Sequence, residues 1–564
     1  MGSASSFPRS AFVRGFEMLR SFCIVALAVA TGCELEGRPL GTQLAPGRDS
    51  SSPNIVWSGS RPFVSFDQVP ERLLRLYAVP FDGTGPAVAV GGASSWSTWT
   101  SPSGYLVAGG YPITVFDLES ASLVRSVTGS LEQLQGDIML FGRYDPLDYF
   151  LAQVPDGDEQ EVGDISQSWF APSGRLYFSL VGGAFGAIDE PGAALNMSDR
   201  LVQDFLIAPD ERVAVVRDLQ DSRSNKPAST VYRVLELPSY RELMTLPFHN
   251  RYCSACDWLG FSPDGRQFFY AENFAQESGL VDQYEVETNQ VLPVETRPGP
   301  YANELLWSPT GGLALVGEFP CVTGQEGCRA LYRSILRTGP VVEPISTGVA
   351  GARFSADGNY LLFEDALNGG RLLAASTGSL SPDPSASAAV LSPPGSLVDG
   401  STFDPATGTA VFWARPEGGK SSVKFVAFAE RANLYAAPPP EFRVRRLAEA
   451  ADTVAVGRGL AVAIVRFSPQ DLTGDLVLYD LRSGQERTLA APVSSFWATP
   501  ACPSPGSPPL GTKWLPSRGS GPTSSAEIVA PPGCADDAPL LVTFTVRGRV
   551  KSEKDGLWAL TVQP

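Results

Sequence analysis

The single histidine of the chain, His249, heads a His-x3-Cys-x2-Cys array with Cys253 and Cys256. Imidazole and thiolates at this spacing can ligate zinc. A structural zinc site takes four ligands, however, and an oxidising compartment would pair the two thiols instead, so a disulfide loop is the expected outcome. Any Ser-His-Asp hydrolase would have to use His249, and no Gly-x-Ser-x-Gly nucleophile elbow occurs in the sequence. Residues Ala414 to Ser421 approach a phosphate-binding loop, but Ala414 stands where glycine is required. Such a loop must open a helix, whereas Val423 to Phe428 reads as a strand. Gly457-Arg458-Gly459 is also followed by a strand and reads as a turn. Asp156, Asp158, Glu159, Glu161 and Asp164 could gather a hard cation through their oxygens, yet they match no EF-hand spacing and read as an exposed acidic loop. Trp96, Trp99, Trp169, Trp258, Trp307 and Trp413 lie near turns and are expected in the core. These residues assign no catalytic set, no cofactor and no metal.

What positions these residues is a repeat. Phe261-Ser262-Pro263-Asp264-Gly265 precedes Phe268-Phe269-Tyr270, and Phe354-Ser355-Ala356-Asp357-Gly358 precedes Tyr360-Leu361-Leu362-Phe363. The turn proline, or the residue aligned with it, recurs at Pro102, Pro172, Pro209, Pro263, Pro309, Ala356, Pro405 and Gly457, at intervals of roughly 50 residues from Pro209 onward, which fits a four-stranded propeller blade. A weaker copy, Tyr144-Asp145-Pro146, falls between Pro102 and Pro172. Proline pre-sets φ, aspartate bonds its own backbone and glycine takes the positive φ that ends the turn, so each position has a structural task. Val115 to Leu118 and Leu478 to Gly484 read as outer hairpins. The 56 glycines and 48 prolines favour short strands over helices. The pattern predicts an all-β chain, a β-propeller of seven or eight four-stranded blades. Leu76 to Val79 and Ala87 to Val90 are expected to share a blade with Leu541 to Val546 and Leu557 to Val562, closing the ring and removing exposed edges.

The Ser-Pro-Asp-Gly turns at 262–265, with relatives at 308–311 and 101–104, resemble those of the TolB-like, WD-repeat-like propellers of bacterial exported proteins; the resemblance spans roughly residues 55–490. Glu211 and Gly457-Arg458-Gly459 depart from the motif. The resemblance implies protein partners in the cell envelope.

The N-terminus supplies an address. Arg9, Arg14 and Arg20 precede an apolar stretch from Phe22 to Ala30, too short to span a bilayer and typical of a secretory signal. Ala30-Thr31-Gly32-Cys33 resembles the lipobox of bacterial lipoproteins, in which the cysteine is lipidated and becomes the mature N-terminus. The expected organisation is a signal peptide over 1–32, lipidated Cys33 with a flexible Gly-, Pro- and Ser-rich tether over 33–54, and one propeller over 55–564. Its repeats are clearest over 95–490, and its closing strands lie in 540–564. Removing the signal deepens the net charge of −17 by two, a balance that disfavours nucleic acid and anionic lipid as partners.

Cys23 lies within the signal. Beyond Cys33 six cysteines remain as local pairs, Cys253 with Cys256, Cys321 with Cys328, and Cys502 with Cys534, and an even number in an exported chain reads as disulfides of open connectivity. The leading reading is a monomeric, non-enzymatic scaffold for envelope proteins, lipid-anchored to the outer membrane and facing the periplasm or cell surface. The alternatives are a propeller lyase or hydrolase using channel-facing residues, and an outer-membrane assembly lipoprotein.

Overall fold

A computed structural model describes residues 40–46, 50–58, 61–68, 75–91, 97–144, 147–218, 231–246, 256–274, 277–294, 301–310, 313–319, 331–336, 349–365, 370–379, 388–416, 432–468, 470–502, 513–515, 524–528, 534–535, 538–547 and 553–563. Among them every regular element is a strand except one short 3-10 turn, Thr377–Ser379. The strands form nine hydrogen-bonded sheets, mostly four-stranded and antiparallel between sequence neighbours.

Two sheets are fusions. Asn196–Ile207 pairs through its first half with Ala184–Ile188 and through its second half with Val213–Asp218. It is thus the outer strand of one blade and the inner strand of the next. Glu486–Pro500 does the same, pairing with Thr473–Asp480 and then with Leu540–Val546. With the fusions separated, the described residues form eleven blade-sized units: 50–91, 97–127, 130–163, 165–202, 202–245, 256–294, 301–336, 349–390, 396–451, 453–493, and 493–562 completed by 42–46. They are called blades 1 to 11 below. The propeller architecture is the expected one, but the count exceeds seven or eight. The eight Pro-type markers each sit in a different blade; in blades 1, 3 and 11 the first two strands are separated without such a marker, by residues 59–60, by Gly136-Asp137 and by the insertion 501–539. Tyr144-Asp145-Pro146 falls at the other end of blade 3, between its second and third strands.

The ring closes through both chain ends, with a different N-terminal strand from the one expected. Thr42–Pro46 pairs with Gly556–Val562, which pairs with Leu540–Val546. Leu76 to Val79 and Val88–Gly91 belong instead to blade 1. The segment read as tether therefore already contains a structural strand from Thr42 and the start of blade 1 at Ser50.

Cohesion comes from blade-to-blade packing. Second strands such as Leu540–Val546 are buried at every position, whereas the outer strand Ser122–Val127 is mostly exposed. Separate apolar clusters join neighbouring blades around the circle, and the cluster of Ile55, Val64, Phe66 and Val79 with Leu541, Leu557 and Ala559 joins blade 11 back to blade 1. Blades 6 and 7 meet through the edge-on contact of Phe269 with Trp307, ring centroids 5.3 Å apart.

Local sterics set some of this packing. A Cβ added to Gly400 would lie 2.3 Å from Cζ2 of the buried Trp413, its cross-strand partner. Gly400→Ala is expected to destabilise the protein by about 1–3 kcal/mol through overpacking, read from the midpoint of denaturant unfolding. Trp413→Leu in the same chain should recover part of the loss; an unshifted midpoint for the single variant would show that blade 9 yields.

Candidate binding surface

The turns between first and second strands behave as their residues suggest. Gln267 N donates to Ser262 Oγ at 2.9 Å, Ser262 Oγ donates to Asp264 at 2.6 Å, and Gly265 N closes on Ser262 O at 2.9 Å with φ +70. Ser355, Asp357, Gly358 and Tyr360 repeat the arrangement in blade 8. The hydrogen bonds from Ser355 and Asn359 hold the Asp357 carboxyl below its usual range, outweighing the opposing effect of burial.

These turns also latch one blade to the next. Ser103 donates through N and Oγ to Asp137 of blade 3, at 3.1 and 2.5 Å. Ser173 donates to Glu211 of blade 5 at 3.1 and 2.8 Å. Gly459 N donates to both carboxylate oxygens of Asp404, at 3.0 and 3.1 Å. Both departures from the motif are thereby accounted for: Glu211, at φ +55, is the acceptor for blade 4, and the Gly457-Arg458-Gly459 turn carries the donor for blade 9.

The inner strands line the axis of the ring. Blade-to-blade contacts concentrate on the first and second strands, and inner strands reach across to each other. Gln133 Nε2 donates to Ser168 Oγ at 3.2 Å, and Gln167 exchanges two 3.1 Å bonds with the backbone of Phe205. In nine of the eleven blades the inner strand is interrupted by a register shift near its start, as at Asp399 between Val398 and Gly400. Only Ser97–Thr100 and Thr453–Gly457 pair regularly. Bulges of this kind spoil an edge as a template for further strands.

The shift in blade 9 turns Asp399 toward Arg415 in an ion pair, with Arg415 Nη2 donating to Asp399 Oδ1 at 2.7 Å and Nε lying 2.7 Å from Oδ2, and with 5% and 8% of the residues exposed. Burial raises the Asp399 carboxyl above its ordinary value despite the guanidinium. Asp204 and Arg217 form the counterpart in blade 5 at 3.1 Å, again with the carboxyl raised by burial.

The third feature is the insertion between the first two strands of blade 11. Cys502 and Cys534 are bonded, with Cα atoms 5.7 Å apart. Within the loop, Lys513–Leu515 pairs with Ser524–Glu527, which adds in parallel to the inner strand Thr453–Gly457 of blade 10. Ile528 N donates to Val456 O at 2.7 Å, and the Ile528 side chain, 1% exposed, joins the core between blades 10 and 11. Arg458 donates to Ala535 O beside the disulfide.

Of the residues singled out in the sequence, the structure brings together Cys502 and Cys534. Cys33, His249, Cys253, Cys321 and Cys328 lie outside the described residues, and Cys256 is described only as the first residue of the strand Cys256–Phe261. Ala414 and Arg415 end the strand Ala410–Pro416, so the near-match to a phosphate loop begins as strand. The acidic run is dispersed, Glu159 being paired with Arg125 and Arg143. Among the described residues no group of three or more His, Cys, Asp or Glu could hold a metal ion. Trp169, Trp307 and Trp413 pack against the core as expected. Asp399, Arg415 and the strand-adding segment were missed, because bulges and parallel pairing leave no short-range sequence signal.

No protein-family model matches the sequence, and no curated protein matches it. Solved structures similar to it include the eukaryotic initiation factor, 10% identical over 68% of this chain and 95% of that one with a TM-score of 0.40. The Dos1 propeller is 11% identical over 58% and 91%, with a TM-score of 0.33. Kuenenia stuttgartiensis hydrazine synthase is 15% identical over 51% and 96%, with a TM-score of 0.29.

Arg415→Met should cost about 3–5 kcal/mol at neutral pH by stranding a buried carboxylate. Because the folded carboxyl already titrates above the ordinary 3.8, and more so without the guanidinium, the folded state binds the proton first. The penalty should therefore shrink as pH falls toward that value, measured by urea unfolding across a pH series. A pH-independent penalty would show that Asp399 is not charged in the variant.

Proposed function

We propose that this chain is a non-enzymatic binding scaffold for protein partners in the cell envelope, exported, tethered through a lipid on Cys33 and belonging with the TolB-like propellers of bacterial lipoproteins. One observation carries the binding role: apart from the insertion 501–539, the described strand ends that open onto long connections lie mostly at one face, while polar turn residues at the other are occupied in latching blades together. Strands alternate in direction, so the chain ends that bracket residues 219–230, 320–330 and 417–431, between second and third strands, share a face with those bracketing 247–255, between blades. Connections of this length on a rigid frame are where recognition residues accumulate. The export reading is supported by the Arg-flanked apolar segment ahead of Cys33 and by the Cys502–Cys534 bond, which suits an oxidising compartment. The acidic net charge points to basic or neutral protein surfaces rather than nucleic acid.

The mature chain, captured from detergent-solubilised envelope membranes, should retain specific proteins, and replacing 417–431 by a Gly-Ser linker should lose or weaken at least one of them. Recovery of no partner together with turnover of a polysaccharide by the purified protein would replace the scaffold with an enzyme. Cys33→Ala should move the protein from the membrane to the soluble fraction; a variant that still partitions with membranes would refute the lipid tether.

A further inference from the structure

We propose that the channel side of blade 10 is a strand-accepting slot now filled by the chain's own segment 524–528, and that the Cys502–Cys534 bond decides whether the slot is held by that segment or open to an extended segment of a partner protein. The slot is distinct from the loop-bearing face, so this inference stands or falls apart from the scaffold reading given above.

The slot is defined by what the other blades lack. Nine inner strands carry a register shift, and of the two regular ones Thr453–Gly457 is the longer. It is the only inner strand among the described residues whose free edge takes another strand. The added strand runs parallel, Thr453 opposite Ser524 and Val456 opposite Glu527. At its end Gly457 allows a close approach that a side chain would block: a Cβ there would meet Ile528 O at 2.5 Å and Ile528 Cβ at 2.7 Å. Recognition is therefore backbone pairing over four residues followed by one aliphatic side chain buried in the apolar cluster that also holds Ala455, Leu460 and Val462. This is the division of labour of β-augmentation, in which main-chain bonds give affinity and a pocket gives specificity.

The channel has room for it. Eleven sheets stacked about 10 Å apart describe a circle roughly 35 Å across at mid-sheet, and strands about 4.8 Å apart place the inner strands on a circle roughly 20 Å across. Two added strands, each about 4.8 Å wide, fill one side of that space and leave the other open.

The disulfide retains the segment. It ties Cys502, just beyond the inner strand of blade 11, to Cys534 over a sequence separation of 32, and Arg458 holds the neighbouring Ala535. Opening the cross-link restores loop freedom to the insertion and should favour release on the order of a hundredfold by loop-closure entropy. In the exchange a dithiol reductant supplies two electrons and two protons; the Cys502–Cys534 bond breaks to two thiols and the reductant becomes a disulfide.

The probe is a fluorescent peptide carrying residues 521–531 of this sequence, titrated against the purified mature chain and followed by anisotropy. The oxidised wild-type chain should bind it weakly or not at all, and Cys502→Ser/Cys534→Ser should bind it saturably and on the order of a hundredfold tighter. The same peptide with Ile528→Ser should lose that binding. Amide exchange over 453–457 should rise in the double variant without peptide and fall when it is added. Ile528→Ser in the chain with the disulfide intact gives a second route to an open slot if the double variant does not fold. Equal binding with and without the disulfide, exchange over 453–457 that does not change, or an opened strand that ignores the peptide would each overturn the proposal.

Discussion

Both faces of every sheet must be covered, and only a neighbouring sheet can cover them. The second strands show how strictly this is met. Leu106 packs toward blade 1 while the next residue, Val107, packs toward blade 3. Leu361 faces blade 7 and Leu362 faces blade 9; Ala461 faces blade 9 and Val462 faces blade 11. With a side-chain period of two, a strand buried on both sides reads as an unbroken apolar run. Each blade thus belongs to two interfaces at once, and no blade in such a stack would be stable alone. Closure by Thr42–Pro46 against Gly556–Val562 is the same requirement applied to the chain ends, since an open stack would leave one sheet face at each end in water.

The polar chemistry follows from this arrangement. Apolar faces leave the angle between blades loosely specified, and the turn latches specify it: Ser103 with Asp137, Ser173 with Glu211, Gly459 with Asp404. A carboxylate accepting backbone and hydroxyl hydrogens is a strong, directional joint. The cost is that conspicuous turn residues are no longer free for chemistry. Glu211 illustrates the exchange, holding a left-handed backbone conformation that glycine would adopt more easily and supplying a side-chain acceptor that glycine lacks.

How legible this was in the sequence depended on the range of the interaction involved. The Ser-Pro-Asp-Gly turns were readable because proline, aspartate and glycine act within four residues, and the eight markers fell in eight separate blades. Gly136-Asp137 carries the same joint without proline and passed unnoticed. Thr42–Pro46 was hidden because Gly, Pro and Ser around it suggest a tether, while its strand character comes from pairing with residues at the far end of the chain. Cys502 with Cys534 was recovered by pairing local cysteines. The Asp399–Arg415 pair was not, since a bulge between Val398 and Gly400 decides which way Asp399 turns.

Inner edges pose the remaining problem of the ring, because covering faces does nothing for the unpaired backbone groups along the axis. Three solutions coexist. Most inner strands are bulged, which breaks the evenly spaced donors and acceptors a further strand would need. Ser97–Thr100 stays regular but is only four residues long, and Trp57 N donates to Thr100 Oγ1 at 3.4 Å. Thr453–Gly457 is both regular and longer, and it is the edge that is covered, by a segment that the chain reaches only through a long insertion in the next blade. A side-chain or bulge solution would have been shorter in sequence. Covering the edge with a strand instead preserves it as a strand acceptor, and anchoring the cover at Ile528 and Cys534 makes its occupancy depend on contacts that lie outside the ladder itself.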